Sequence, residues 1–324
     1  MTGFRLKGTL WSIREHVLGK ASRRISLSAL VLIAMVAYSA SAARADLIPL
    51  GDASNYAVLY EGTGGHQLSI SNVTINGNIG VGGTGTVSFS GPGTINGSLS
   101  FSAANTGQYS NSNGSNVGPT SVNYGTTNVT TALTAVNNLS TAYSGGTNLA
   151  FTNAGETVNE NTGMLTTVNG VATRVFNVTA YSANNSSVLT INGDGSGDPV
   201  VFNFAVGTGG YGNSNVNLGG SVVLAGTGLT SADQVLFNFQ STGKNISLTN
   251  NGETFVGTIL APNDAISQDN STLNGRILGG DSGNMQIVSG AKINAPAAVP
   301  VPAAILLFAS GLVGLAAIRK RCKK

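Results

Sequence analysis

The sequence predicts an all-β chain: a β-solenoid with coils of about 20 residues and one α-helix alongside, between an N-terminal signal peptide and a C-terminal transmembrane helix. Three observations predict the solenoid. TINGNIGV from Thr74 is matched by TINGSLSF from Thr94, so that Ile75, Ile79 and Val81 return as Ile95, Leu99 and Phe101. The step recurs near the other end, where STLNG around Leu273 precedes AKINA around Ile293, and Ile246, Ile266 and Ile287 open successive short runs. Within each run apolar residues alternate with the strand period of two, and Asn-Gly, Asp-Asn and Ser-Gly pairs supply turns. A β-sandwich also has evenly spaced short strands, but matched triplets at one fixed step favour stacked coils.

From the N-terminus, a basic region leads into an apolar core from Ile25 to Tyr38 and then to Ala43-Arg44-Ala45. This reads as a signal peptide over residues 1–45, cut by signal peptidase between Ala45 and Asp46. The core is shorter than the roughly 20 residues of an ordinary span. SRRISL from Ser22 resembles a twin-arginine signal but lacks its usual Phe.

The formal charge of +3 suggests an anionic partner until the basic residues are located. Seven precede Asp46 and five follow the apolar tail. Between them Arg174, Lys244, Arg276 and Lys292 face twelve acids, a net −8, so nucleic acid is not an expected partner. The one cysteine, Cys322, lies in the tail, which leaves the body without a disulfide or thiolate metal site. The body, residues 46–295, has about 250 residues, enough to bury its own core.

NVTTALTAVNNLSTAYSGG breaks the strand pattern. Leu133, Val136, Leu139 and Tyr143, with Ala132, Ala135 and Ala142 beside them, make one stripe at helical spacing. The spacing predicts a helix over about 129–144, started at Asn128 or Thr130, ended by Gly145 and Gly146, and covering one apolar flank of the solenoid.

LGDASNYAVLYEG, TINGNIGV, TTALTAVNNLSTAY, DPVVFNFAVG, VLFNFQ and FVGTILAPNDAISQDNSTLNGRILGG, in that order, resemble the ice-binding-like β-solenoid family and the related choice-of-anchor A surface domains. The resemblance implies a right-handed β-helix with one helix alongside. It implies little about function, because such a fold carries both ice binders and surface proteins that never meet ice.

Catalytic and metal signatures are sparse. His66 in GTGGHQLS is the only histidine of the body and reads as a polar turn. GVGGTG from Gly80 and GTGGYG from Gly207 satisfy G-x-G-x-x-G but precede strands, whereas phosphate cradling needs a helix N-terminus. NGDGSGDP sets Asn192, Asp194, Ser196 and Asp198 at alternating positions, but Asn203 stands where a calcium loop needs Glu. GGDSGN from Gly279 does not extend into a calcium-binding repeat. The acids are scattered, so the body is expected not to be an enzyme and to need no cofactor. Thr84 and Thr86 form one T-x-T that the next coil does not repeat, and no threonine ladder is read. N-x-S/T triplets such as Asn72 to Thr74 arise by chance in this composition.

The tail, residues 296–324, carries Val299-Pro300-Val301-Pro302-Ala303, an apolar run within about 301–318, and Arg319, Lys320, Arg321, Lys323 and Lys324. The run from Ala303 to Ile318 makes about 24 Å of helix, marginal against a hydrocarbon core of roughly 30 Å. The basic end fixes its cytoplasmic side and leaves the solenoid outside. The order of parts resembles the VPxPA variant of the PEP-CTERM sorting signal, which implies processing near Val299–Ala303 by an exosortase-type enzyme. The expected function is therefore an exported, non-enzymatic component of the cell surface or extracellular matrix, adhesive or structural. It is held in the membrane by the C-terminal helix, transiently or for good. Its expected partners are exopolysaccharide or other surface proteins. Ice binding and action on polysaccharide are the alternatives.

Overall fold

The computed structural model describes residues 47–103, 107–152, 155–184, 186–205, 215–249, 251–281 and 283–297. The cleavage site at Ala43, Ala45 and Asp46, the second glycine motif and the tail with its sorting motif, apolar run and basic end lie outside these residues. Among the described residues no helix is long and apolar enough to cross a membrane.

Among the described residues the structure is mostly β, with parallel sheets, one α-helix and a few short 3-10 turns. The largest sheet runs in the order Met164–Val168, Val171–Tyr181, Val200–Phe204, Val235–Phe239, Thr258–Ala261, Ile277–Gly279, Tyr56–Tyr60, Asn78–Val81, Leu99–Phe101, Val122–Asn123. Thr147–Phe151 also pairs with Val171–Tyr181. This order is not the chain order. The N-terminal strand docks on the last one, with Val58 opposite Ile277, and the next three rungs step away. The chain then passes through the helix and starts again at the far end. Pairing is parallel throughout this sheet except for the hairpin joining Met164–Val168 to Val171–Tyr181. There Asn169 and Gly170 both have positive φ, 51° and 82°, as a two-residue type I′ turn requires.

The repeat is the one read from the sequence: Thr74, Ile75 and Asn76 lie opposite Thr94, Ile95 and Asn96, and Ile79 and Val81 lie opposite Leu99 and Phe101. Leu273 likewise meets Ile293, and Ile246 meets Ile266. Two expectations need correction. Ile287 lies opposite Gln268 rather than Ile266, because that coil is shorter than 20 residues and brings Met285 level with Leu68. Nor do all coils hold to about 20, since Ile259 pairs with Ile277 and Val200 with Val235. That long coil contains the extra strand Ser221–Thr227, and the coil before it contains Val188–Asp194; both belong to a separate three-stranded sheet.

A ten-stranded sheet bends to make two faces. Its strands Gln67–Asn76 and Thr86–Asn96 change register between Ser71 and Val73. The bend falls where Asn72 and Gly91 hold φ of 53° and 72°, and Asn270 and Ser289 repeat that left-handed conformation in other coils. One such residue resets the inward alternation, so Leu68 and Ile70 before it and Val73 and Ile75 after it all point into the core. Inside, side chains of like kind stack coil on coil: Phe204 on Phe239 at 4.3 Å, and Phe202 on Phe237 at 5.0 Å between Phe176 and Phe255. Each such pair adds about 0.5–1.5 kcal/mol beyond its area burial.

The helix spans Thr127–Ala142, two residues earlier than predicted. It buries Val129, Ala132, Val136 and Leu139, with Tyr143 just beyond its end, against Leu59, Val201, Leu236, Leu260 and Leu278 of the large sheet. Ala142 is exposed, whereas Val129, which the sequence reading omits, is buried. Neither Asn128 nor Thr130 caps it. The chain enters through Thr126, whose backbone N–H and Oγ1 both donate to the Phe101 carbonyl.

Candidate functional site

With the helix covering the large sheet, the bent sheet presents the broad uncovered surfaces. On its first half, outward residues of seven strands stand in register: Asn217, Ser247, Ser267, Gln286, Ser69, Ser88 and Ser110. Beside this column run Asn245, Ala265, Gln67 and Thr86 on one side, and Thr249, Asp269, Val288, Ser71 and Ser90 on the other. Adjacent strands are about 4.8 Å apart and same-face neighbours along a strand about 6.6 Å apart, so this serine face is a regular grid, mostly of hydroxyls and amides, interrupted at its margins by Ala265, Val288 and Asp269. Asp269 is the one charge among these positions.

Past the bend, the second half carries two columns. Thr254, Thr272, Lys292, Thr74 and Thr94 form the first, with Val117 at the end. Val256, Asn274, Asn294, Asn76 and Asn96 form the second. The asparagines are joined into a ladder: Asn96 donates to Asn76, Asn76 to Asn294 and Asn294 to Asn274, at 2.7, 2.7 and 2.9 Å. The three-stranded sheet continues the alternation with Thr157 and Thr190 opposite one another and Asn192 donating to Asn159 at 2.9 Å. It is tied to the bent sheet by Ser221 Oγ, which donates to Glu253 Oε2 at 2.7 Å.

A threonine column therefore exists where the sequence reading saw none. Thr86 belongs to the serine face and Thr84 to a turn. Its threonines are the first residues of the two TING runs, of TLNG from Thr272 and of TFVG from Thr254, a signal carried by the same repeats as the isoleucines.

The family model described as "Putative Ice-binding-like adhesive domain" matches residues 46–287. The chain belongs to this family. Solved structures similar to it include ice-binding proteins from three sources. One is from the Antarctic ascomycete Antarctomyces psychrotrophicus, at 15% identity over 78% of this chain and 99% of that one, TM-score 0.48. An Arctic yeast supplies another, at 18% over 80% and 98%, TM-score 0.48. The third is from Shewanella frigidimarina, at 15% over 75% and 95%, TM-score 0.46. No curated protein matches the sequence. Likenesses this distant do not transfer a binding face.

In this ice-binding-like adhesive domain the other sequence-level candidates are turns and clasps. His66 follows a short 3-10 turn, Thr63–Gly65, and its backbone N–H donates to the Thr63 carbonyl. GVGGTG ends the strand Asn78–Val81 with Gly80 and Val81 and turns through its last four residues into Thr86–Asn96. The oxygens of NGDGSGDP are taken up locally. Asp194 Oδ1 accepts from the Ser196 N–H at 2.8 Å, Asp198 Oδ2 pairs with Arg174 Nε at 3.0 Å, and Ser196 Oγ donates to the buried Glu160. Among the described residues no three His, Cys, Asp or Glu side chains gather to hold a metal. Glu61 is the carboxyl most displaced from its ordinary range: burial pushes it up to about 7 and nearby Asp281 adds to this, against the Asn137 amide, which donates to it at 2.8 Å. That bond ties the helix to the first coil.

Proposed function

We propose that this is an exported, non-catalytic adhesion domain that lies against an uncharged, hydroxyl-rich polymer of the cell surface or matrix through its serine face. The carrying observation is the seven-strand register of Ser, Asn and Gln with a single charge at one margin. Hydroxyls and primary amides both donate and accept, as sugar hydroxyls do. Each exposed bond is weak, about 0.5–1.5 kcal/mol, but a rigid grid lets many form at once. A body of net −8 gives a polyanion no electrostatic attraction. Retention of the exported protein on insoluble neutral polysaccharide tests the reading. Replacing Ser69 and Ser88 with Tyr at the centre of the grid is expected to abolish retention without lowering the melting temperature, and unaltered retention would exclude this face.

In the same reading signal peptidase cuts before Asp46, and an exosortase-type enzyme acts at Val299–Ala303 once the C-terminal helix has paused in the membrane. Mass spectrometry of the mature protein should find its C-terminus near that motif; an intact Lys324 argues for a lasting anchor.

Ice binding is the second reading, favoured by the threonine column. Thr254 beside Thr272 and Thr74 beside Thr94 present hydroxyl and methyl groups at strand spacing in one column. Thermal hysteresis and ice-recrystallisation assays separate it from the first reading, because neutral polysaccharide retention requires neither.

A further inference from the structure

We propose that Lys292 is the specificity-determining residue of the threonine face: it interrupts an array suited to ordered water, and its replacement by threonine completes that array. The inference rests on the ice-binding reading. Lys292 stands between Thr272 and Thr74 in the column, each paired directly with it, so the two threonines are about 9.6 Å apart, two strand spacings. A threonine is stiff at χ1 and repeats its hydroxyl and methyl at fixed points. Lysine puts a flexible four-carbon stem and a compact, strongly hydrated ammonium in their place, with three donors and no acceptor. Water ordered over Thr272 and Thr74 cannot continue across it.

Nothing in the coil beneath requires a lysine. Its own N–H donates to the Ser271 carbonyl at 2.8 Å, as any residue there would. The neighbouring Ile293 is fully buried level with Ile75, and Asn294 continues the amide ladder. The two ion pairs among the described residues use Arg174 and Arg276, and the exposed Lys292 has no carboxylate partner among them. The side chain therefore acts outward.

The test compares thermal hysteresis and inhibition of ice recrystallisation for the exported protein, K292T, K292S and K292R, with melting temperature as the check on folding. K292T is expected to raise thermal hysteresis several-fold over the parent, K292S by less, and K292R not at all. Equal, measurable activity in all four overturns the role of Lys292 and leaves the ice-binding reading standing. No activity in any of them overturns both.

Discussion

Arg276 ties three distant parts of the chain together, although it is a charge with 1% of its surface exposed. Its Nε and one terminal nitrogen reach both oxygens of Asp233 at 3.0 and 3.2 Å, and the remaining donors reach the carbonyls of Tyr56 and Pro296 at 2.9 and 2.8 Å. Removing the guanidinium strands a buried carboxylate, which costs about 3–5 kcal/mol. R276M is therefore expected to lower the urea midpoint sharply, and the double variant R276M/D233L to recover part of the loss, since an apolar pair is tolerated where half an ion pair is not. Glu61 makes stability depend on pH. With its folded pKa near 7 against an ordinary 4.5, the folded state holds a proton that the unfolded chain releases between those values. Its contribution is fully present below about pH 4.5 and is lost as pH rises toward 7. E61Q is expected to flatten stability against pH across that window, measured by denaturant unfolding at successive pH values; an unchanged slope would assign the pH dependence elsewhere.

The helix shows at the scale of one element what is legible in a sequence and what is not. Its apolar stripe at three- and four-residue spacing is visible in TTALTAVNNLSTAY, and it buries the face expected of it. Its stop near Gly145 and Gly146 is visible too, but what satisfies its last carbonyls is not. The last carbonyls, Ser140 and Tyr143, are satisfied by side-chain amides of Asn203, Asn238 and Gln240 at 2.8–3.3 Å. Those residues follow the helix by 60 to 100 positions. The doubled FNF in VVFNF and VLFNF holds the answer, because alternate residues send Phe into the core and Asn outward beneath the helix. Only the register of the two strands shows that Asn238 also donates to Asn203 at 2.8 Å and accepts from Ser140 Oγ at 2.8 Å. Replacing Asn238 with Leu leaves several buried polar groups without partners, each costing about 1–3 kcal/mol. Hydrogen exchange should then show lost protection over Thr127–Ala142 before the sheets open; uniform loss across the chain would mean that helix and solenoid are one cooperative unit. The coil corners obey a steric rule of the same kind. Gly275, at φ 155°, sits so close to the next coil that a Cβ would overlap the Gly257 carbonyl oxygen. G275A is expected to cut stability by more than the roughly 0.4–1 kcal/mol that a glycine-to-alanine change adds where alanine fits, and a melting curve decides it.

Across the whole molecule, coil order is the feature the sequence conceals. A repeat such as TING fixes spacing and register between consecutive coils, since slipping by one residue would turn Ile75 and Ile95 outward. It carries no mark for which coil meets which when they are not consecutive. Tyr56–Tyr60 sits between Ile277–Gly279 and Asn78–Val81 because the stack must cover both ends of its own break. The bond from Arg276 to the Tyr56 carbonyl spans 220 residues of sequence. Such a closure has to gather nearly the whole chain before its contacts stabilise anything, so folding should be slow, on the order of a second or longer. Residues 47–126 alone lack the strand that covers Tyr56–Tyr60 and should remain unfolded by circular dichroism. Adding residues 127–297 should restore the β signal, because the helix and the late coils supply the missing neighbours. If the early coils fold alone, the repeats are independently stable and the closure only docks two finished halves. If they fold only with the later segment, the serine and threonine faces, which draw strands from both sides of the break, exist only once the stack of coils is complete.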